Sequence, residues 1–139
     1  MAATLSLEVP HLGGIEAGYA ISSSGNASEL DLSKPTCVLI NALHTTVEFW
    51  RRQFESKDIT AAMNLLAIEP LGHGSTTCPI EQFTYWDTAI MALQVMEKLG
   101  VEKAFAMGTS QGGFIATRMA LLAPHKVKPP EVLMHSLDC

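Results

Sequence analysis

Lys103-Ala104-Phe105-Ala106-Met107-Gly108-Thr109-Ser110-Gln111-Gly112-Gly113 decides the reading of this chain. A short apolar run predicts a strand over Lys103–Met107. The segment Gln111–Ala123, stopped by Pro124, predicts a helix. Between them Gly-x-Ser-x-Gly reads either as a tight, strained strand-to-helix elbow with Ser110 at its apex or as an ordinary glycine-rich turn with a solvent-exposed serine. The residues two before and two after the serine pass close together, so Gly108 and Gly112 are expected because a side chain at either would collide. The backbone N–H of Gln111 then opens a helix, where it can donate to an anion assisted by the positive helix end.

Working outward, strand-like and helix-like segments alternate. Thr4–Val9 and Ile15–Ile21 read as a hairpin around Pro10 and Gly13-Gly14. Thr36–Ile40 and Asn64–Ile68 are almost wholly apolar, as strands buried on both faces require. Glu48–Phe54 reads as a short amphipathic helix. Thr84–Leu99 is the clearest helix: Thr84 and Asp87 have capping-box spacing, and Gly100 suits a left-handed cap. Its expected apolar face is Trp86, Ile90, Leu93 and Met96. Glu131–Leu137 reads as a sixth strand. Alternation of this kind predicts an α/β domain, a doubly wound and mostly parallel sheet, spanning residues 1–139 as one unit.

Composition narrows the function. Hydrophobic residues make up 47% of the 139-residue chain and charged ones 17%, which excludes a disordered chain. The net charge is −5 without a basic run, so neither nucleic acid nor anionic lipid is an expected partner. The longest unbroken apolar stretches, Ala89–Leu93 and Met119–Ala123, are far short of the about 20 residues of a membrane span. The N-terminus lacks the basic and apolar segments of a secretory leader. Cys37, Cys78 and Cys139 make neither a disulfide framework nor a zinc site, so no metal is expected. A cytoplasmic location is the expectation.

With these motifs in place, the chain resembles the α/β-hydrolases over about residues 35 to 125. The Gly108-Thr109-Ser110-Gln111-Gly112 turn matches the family's nucleophile elbow in full. Glu69-Pro70-Leu71-Gly72-His73-Gly74 stands where the family usually reads Asp-x-x-Gly-His-Gly. Asn41-Ala42-Leu43-His44 stands where it usually reads His-Gly-x-x, so Ala42 replaces a glycine beside the oxyanion site. The run from Phe83-Thr84-Tyr85-Trp86-Asp87 to Met119-Ala120-Leu121-Leu122-Ala123-Pro124 resembles fungal members, some of them from secondary-metabolite and host-selective toxin clusters.

The resemblance implies Ser110 as nucleophile and the N–H groups of Gln111 and Leu43 as oxyanion donors. It implies hydrolysis of an ester or thioester, or acyl transfer, on a small hydrophobic acyl substrate, without a cofactor. It implies His73 as a loop-shaping residue, and a peroxisomal location by family analogy, although the tail carries no such signal. A serine needs a base held by an acid, and the family supplies both after the serine. The candidates open here are Asp138 as acid and His44 as base. No complete triad is visible, and the fold is expected to be truncated after about the sixth strand. The alternative is a catalytically dead remnant or binding partner that forms a homo- or hetero-oligomer through its open sheet edge.

Overall fold

The computed structural model describes residues 3–22 and 29–128. Six strands form one sheet in the order β1-β2-β4-β3-β5-β6. β1 (Ala3–Val9) and β2 (Gly13–Ser22) are the expected antiparallel hairpin, and β2 also pairs antiparallel with β4 (Asn64–Ile68). β3 (Thr36–Ile40) lies between β4 and β5 (Ala104–Gly108), parallel to both. β6 (Val127–Lys128) extends the parallel part beyond β5. This strand begins directly after the turn that follows the last helix. The expected strand Glu131–Leu137 lies outside the described residues, as does Asp138.

Alternation along the strands separates two apolar layers. On β3, Val38 and Ile40 join the larger cluster, while Cys37 and Leu39 join the smaller one. The larger cluster is covered by α3 (Tyr85–Lys98) and α4 (Gln111–Leu122). The smaller is covered by a 3-10 turn (Val47–Trp50), α1 (Arg51–Glu55) and α2 (Lys57–Ala62). The single helix expected over Glu48–Phe54 is thus a 3-10 turn running into α1, and α2 was not foreseen. Ser56 divides the two helices: it adopts extended backbone and its hydroxyl accepts the Ile59 N–H as N-cap. Burial pushes the Cys37 thiol up to about 11, so it stays neutral and inert. No helix among the described residues is long and apolar enough to cross a membrane.

The expected apolar face of α3 needs correction. The helix buries Thr88, Ala89, Met91, Ala92, Val95 and Met96, while Ile90 and Leu93 are half-buried and Trp86 is 42% exposed. The buried face mixes small and large side chains. α3 packs on α4, and close approach favours Ala89 and Ala92 against a helix that buries Ala116 and Ala120. Trp86 moves to the rim, where the Arg118 guanidinium lies 5.1 Å from its ring centre.

The capping box at Thr84 and Asp87 is present as expected. The Asp87 carboxylate accepts the Thr84 N–H at 2.7 Å and its hydroxyl at 2.9 Å, and His11 Nε2 lies 2.5 Å from the other oxygen. Burial pushes the Asp87 carboxyl up, but the hydrogen bonds from Thr84 and His11 outweigh it and hold it below the usual carboxylate value. A lowered folded pKa contributes stability above the unfolded value of about 3.9, and that contribution is lost as pH falls through the folded value. Asp87→Asn is therefore expected to cost about 1 kcal/mol at pH 7, with the gap to wild type closing below about pH 4. Urea unfolding at pH 7 and pH 3 measures it. An equal gap at both values would contradict the assignment.

Candidate active site

The site lies at the C-terminal ends of the parallel strands, where open α/β sheets place their crevices. Ile40 at the end of β3 is in register with Gly108 at the end of β5. The chain leaves β5 through Thr109, whose N–H reaches back to the Ile40 carbonyl at 3.3 Å, and turns at Ser110. Ser110 has φ 52 and ψ −120, a conformation rare for any residue but glycine, and its side chain is exposed. The expected collisions are real. A Cβ on Gly108 would lie 2.1 Å from the carbonyl carbon of Gly112, and one on Gly112 would lie 2.1 Å from the Ile40 oxygen.

The strain at Ser110 has a measurable consequence. Ser110→Gly should raise stability by about 1 kcal/mol, or Tm by about 3 °C, because glycine adopts this backbone freely. A lower Tm on thermal unfolding would contradict it.

Gln111 is the first residue of α4, and its side chain is buried. Its backbone N–H and that of Leu43 have no hydrogen-bond partner among the described residues, as two donors awaiting an oxyanion should be. Leu43 lies in the turn after β3, with its side chain exposed. Ala42 is not at positive φ; the left-handed residue of this turn is His44, at φ 60. The glycine usual at position 42 is therefore not needed here, and Ala42 imposes no backbone strain of that kind. The turn is held by buried Asn41, whose Nδ2 donates to the Thr45 carbonyl at 2.6 Å. Asn41 Oδ1 and Thr109 Oγ1 are buried without a hydrogen-bond partner among the described residues.

His44 carries its exposed side chain on this same turn. No hydrogen bond joins its ring, or any other described histidine, to Ser110. His73 is tied instead to the loops: Nδ1 lies 3.0 Å from the Leu71 carbonyl, and Nε2 receives the His44 N–H at 3.2 Å and the Gln111 amide at 3.0 Å. The loop-shaping role implied for it is the one observed.

Glu69 was missed as a site residue. It follows β4 directly, is 2% exposed, and forms no ion pair among the described residues. Its carboxylate accepts the Val47 N–H at 3.2 Å and the Ser75 N–H at 2.6 Å, joining the segment after β3 to the loop after β4. The signal was available: an acidic residue at the end of a fully apolar strand must find donors or remain charged and unpaired.

Residues 35–129 match the family model described as alpha/beta hydrolase fold. The chain belongs to the alpha/beta hydrolase family. Solved structures agree on the fold. A probable hydrolytic enzyme of Pseudomonas aeruginosa superposes with a TM-score of 0.76 at 22% identity, over 91% of this chain and 39% of that one. A second hydrolase from the same organism gives 0.73 at 24% identity, over 89% and 43%. A structure from a study of carboxylesterases of the ammonia-oxidizing Thaumarchaeon Nitrososphaera gargenis gives 0.73 at 22% identity, over 88% and 42%. The chain thus spans about two-fifths of the length of these structures. No match among curated proteins reaches significance.

Proposed function

We propose that the chain carries the nucleophile half of a serine hydrolase acting on a small hydrophobic acyl ester or thioester, or transferring its acyl group. One observation carries this reading: Ser110 stands exposed at φ 52 between glycines that admit no side chain, at the entrance to a helix whose first N–H has no partner among the described residues. In this reading Ser110 Oγ attacks the carbonyl carbon as its proton passes to a base. The carbonyl oxygen becomes an oxyanion held by the Gln111 and Leu43 N–H groups. Its collapse expels the alcohol or thiol, which takes up that proton, and leaves an acyl-enzyme for water or an acceptor to resolve. His44, on the turn that carries Leu43, is the base candidate among the described residues, and Asp138 is the acid candidate outside them. The placing in fungal secondary metabolism, toxin biosynthesis included, rests on the resemblance of residues 83–124 alone.

The test is hydrolysis of short-chain p-nitrophenyl esters and thioesters by the chain, alone and joined to any polypeptide that continues it. Turnover abolished by Ser110→Ala is the expected result. Turnover unchanged by it would overturn the reading.

A second reading has its own observation. Ala104 and Ala106 of β5 are buried, but Phe105 and Met107 on its other face are 45% and 39% exposed, and β6 has a free edge among the described residues. This surface suits a further polypeptide adding beside β6, whether a second copy or a longer homologue. A non-catalytic subunit of this kind predicts an oligomer by sizing chromatography and no serine-dependent turnover.

A further inference from the structure

His73 is held at both ring nitrogens. Nδ1 faces the Leu71 carbonyl, which can only accept, so the proton sits on Nδ1. Nε2 is then a lone pair, and the His44 N–H, which can only donate, points at it. That in turn orients the Gln111 side chain with its NH2 group toward the ring. Gly72 and Gly74, at φ +75 and +53, flank the histidine and give the tight turns that present its ring. His44 itself holds a left-handed backbone that is unfavourable for it, so its N–H needs a partner to stay there.

The three segments joined at this ring are the turn that carries Leu43, the loop after β4, and the first residue of α4. Two of them supply the free N–H groups assigned above to the oxyanion. We propose that His73 is a positioning residue that locks these two donors at one separation, and that protonation of its Nε2 opens the lock. The proposal rests on the oxyanion-hole reading for its purpose, but the clasp itself is independent of it. A proton on Nε2 turns the acceptor into a donor, so the contact from the His44 N–H, which can only donate, is lost, and the Gln111 side chain must turn its oxygen to the ring to keep its own. Apart from His73 itself, the titratable groups on the segments meeting the ring are His44 on the turn after β3 and Glu69, Cys78 and Glu81 on the chain between β4 and α3. Glu69 is already engaged by the Val47 and Ser75 N–H groups, and α4 meets the ring with neutral Gln111.

The experiment is nitrogen-detected NMR of the 139-residue chain across an acid titration, with amide exchange of His73→Phe and His73→Gln. In its neutral form the wild-type ring is expected as the Nδ1–H tautomer. The His44 amide and the Gln111 side-chain amide should shift in the same transition as the ring. In His73→Phe that shared transition vanishes and the His44 amide exchanges at least about tenfold faster. His73→Gln, which keeps an acceptor, restores part of the protection. Fluorophosphonate labelling of Ser110 should slow at least about tenfold in His73→Phe. An Nε2–H ring in the wild type, or unchanged His44 exchange in His73→Phe, would overturn the clasp. The ring measurement needs no variant to fold. An unlabelled wild-type Ser110 would count against the hydrolase reading, while the ring and exchange data still decide the clasp.

Discussion

Gly112→Ala is expected to lower the stability of this protein by at least about 3 kcal/mol, a fall in Tm of about 10 °C. The new Cβ would lie 2.1 Å from the Ile40 oxygen, 2.7 Å from its carbonyl carbon and 2.9 Å from the Asn41 oxygen. All three atoms are backbone. Ile40 is locked in β3 between β4 and β5, and Gly112 lies in the first turn of α4, so neither side can give way cheaply. Gly113→Ala is the control. Its Cβ would meet only the Gly108 oxygen, at 3.4 Å, and that atom's carbon at 3.9 Å. It should change stability by no more than about 1 kcal/mol, with helix propensity favouring alanine. Equal Tm values for the two variants would show that the elbow is not packed as described.

Glu69→Ala should cost about 3 to 5 kcal/mol by urea unfolding. It strips the acceptor from the buried Val47 N–H and from the Ser75 N–H and leaves a space that the neighbouring backbone shapes closely. A Cβ on Gly74 would lie 2.1 Å from the Glu69 carboxyl carbon, and one on Gly18 would lie 2.4 Å from its Oε2. Glu69→Gln should cost less, about 1 to 2 kcal/mol, since its amide oxygen still accepts one N–H while its NH2 opposes the other. A Glu69→Ala protein as stable as wild type would contradict the bracing role. The family's usual aspartate at this position is shorter. The longer side chain finds room because both neighbours, Gly18 in β2 and Gly74 in the loop after β4, lack a Cβ.

The sheet was legible because its strands carry strong signals. Thr36–Ile40 and Asn64–Ile68 are apolar throughout, and a strand buried on both faces tolerates nothing else. The elbow was legible because two of its glycines answer to sterics rather than to packing, and steric demands are local in sequence. Less was legible where tertiary contacts outweigh periodicity. The face of α3 comprises Ala89, Met91, Ala92, Val95 and Met96 instead of Trp86 and Leu93, a rotation about the helix axis that the spacing of its largest apolar residues does not encode. The split between α1 and α2 turned on the single capping serine at 56.

The candidate site divides in the same way. Ser110 and the Gln111 N–H are fixed by a five-residue motif and stand where it puts them. Leu43 was placed by resemblance; its N–H has no partner among the described residues, and the left-handed backbone falls at His44 rather than at position 42. Glu69 and His73 act through partners far away in sequence. Glu69 reaches Val47, and His73 reaches His44 and Gln111, pairings that no local pattern encodes.

The central claim is that Ser110 is a nucleophile held by its elbow. Incubation of the folded chain with a fluorophosphonate, followed by peptide mass spectrometry beside Ser110→Ala, tests it most directly. A single adduct on Ser110, absent from Ser110→Ala while Ser136 and the other serines stay unmodified, is the predicted result. A folded wild-type chain that takes up no label at Ser110 would contradict it.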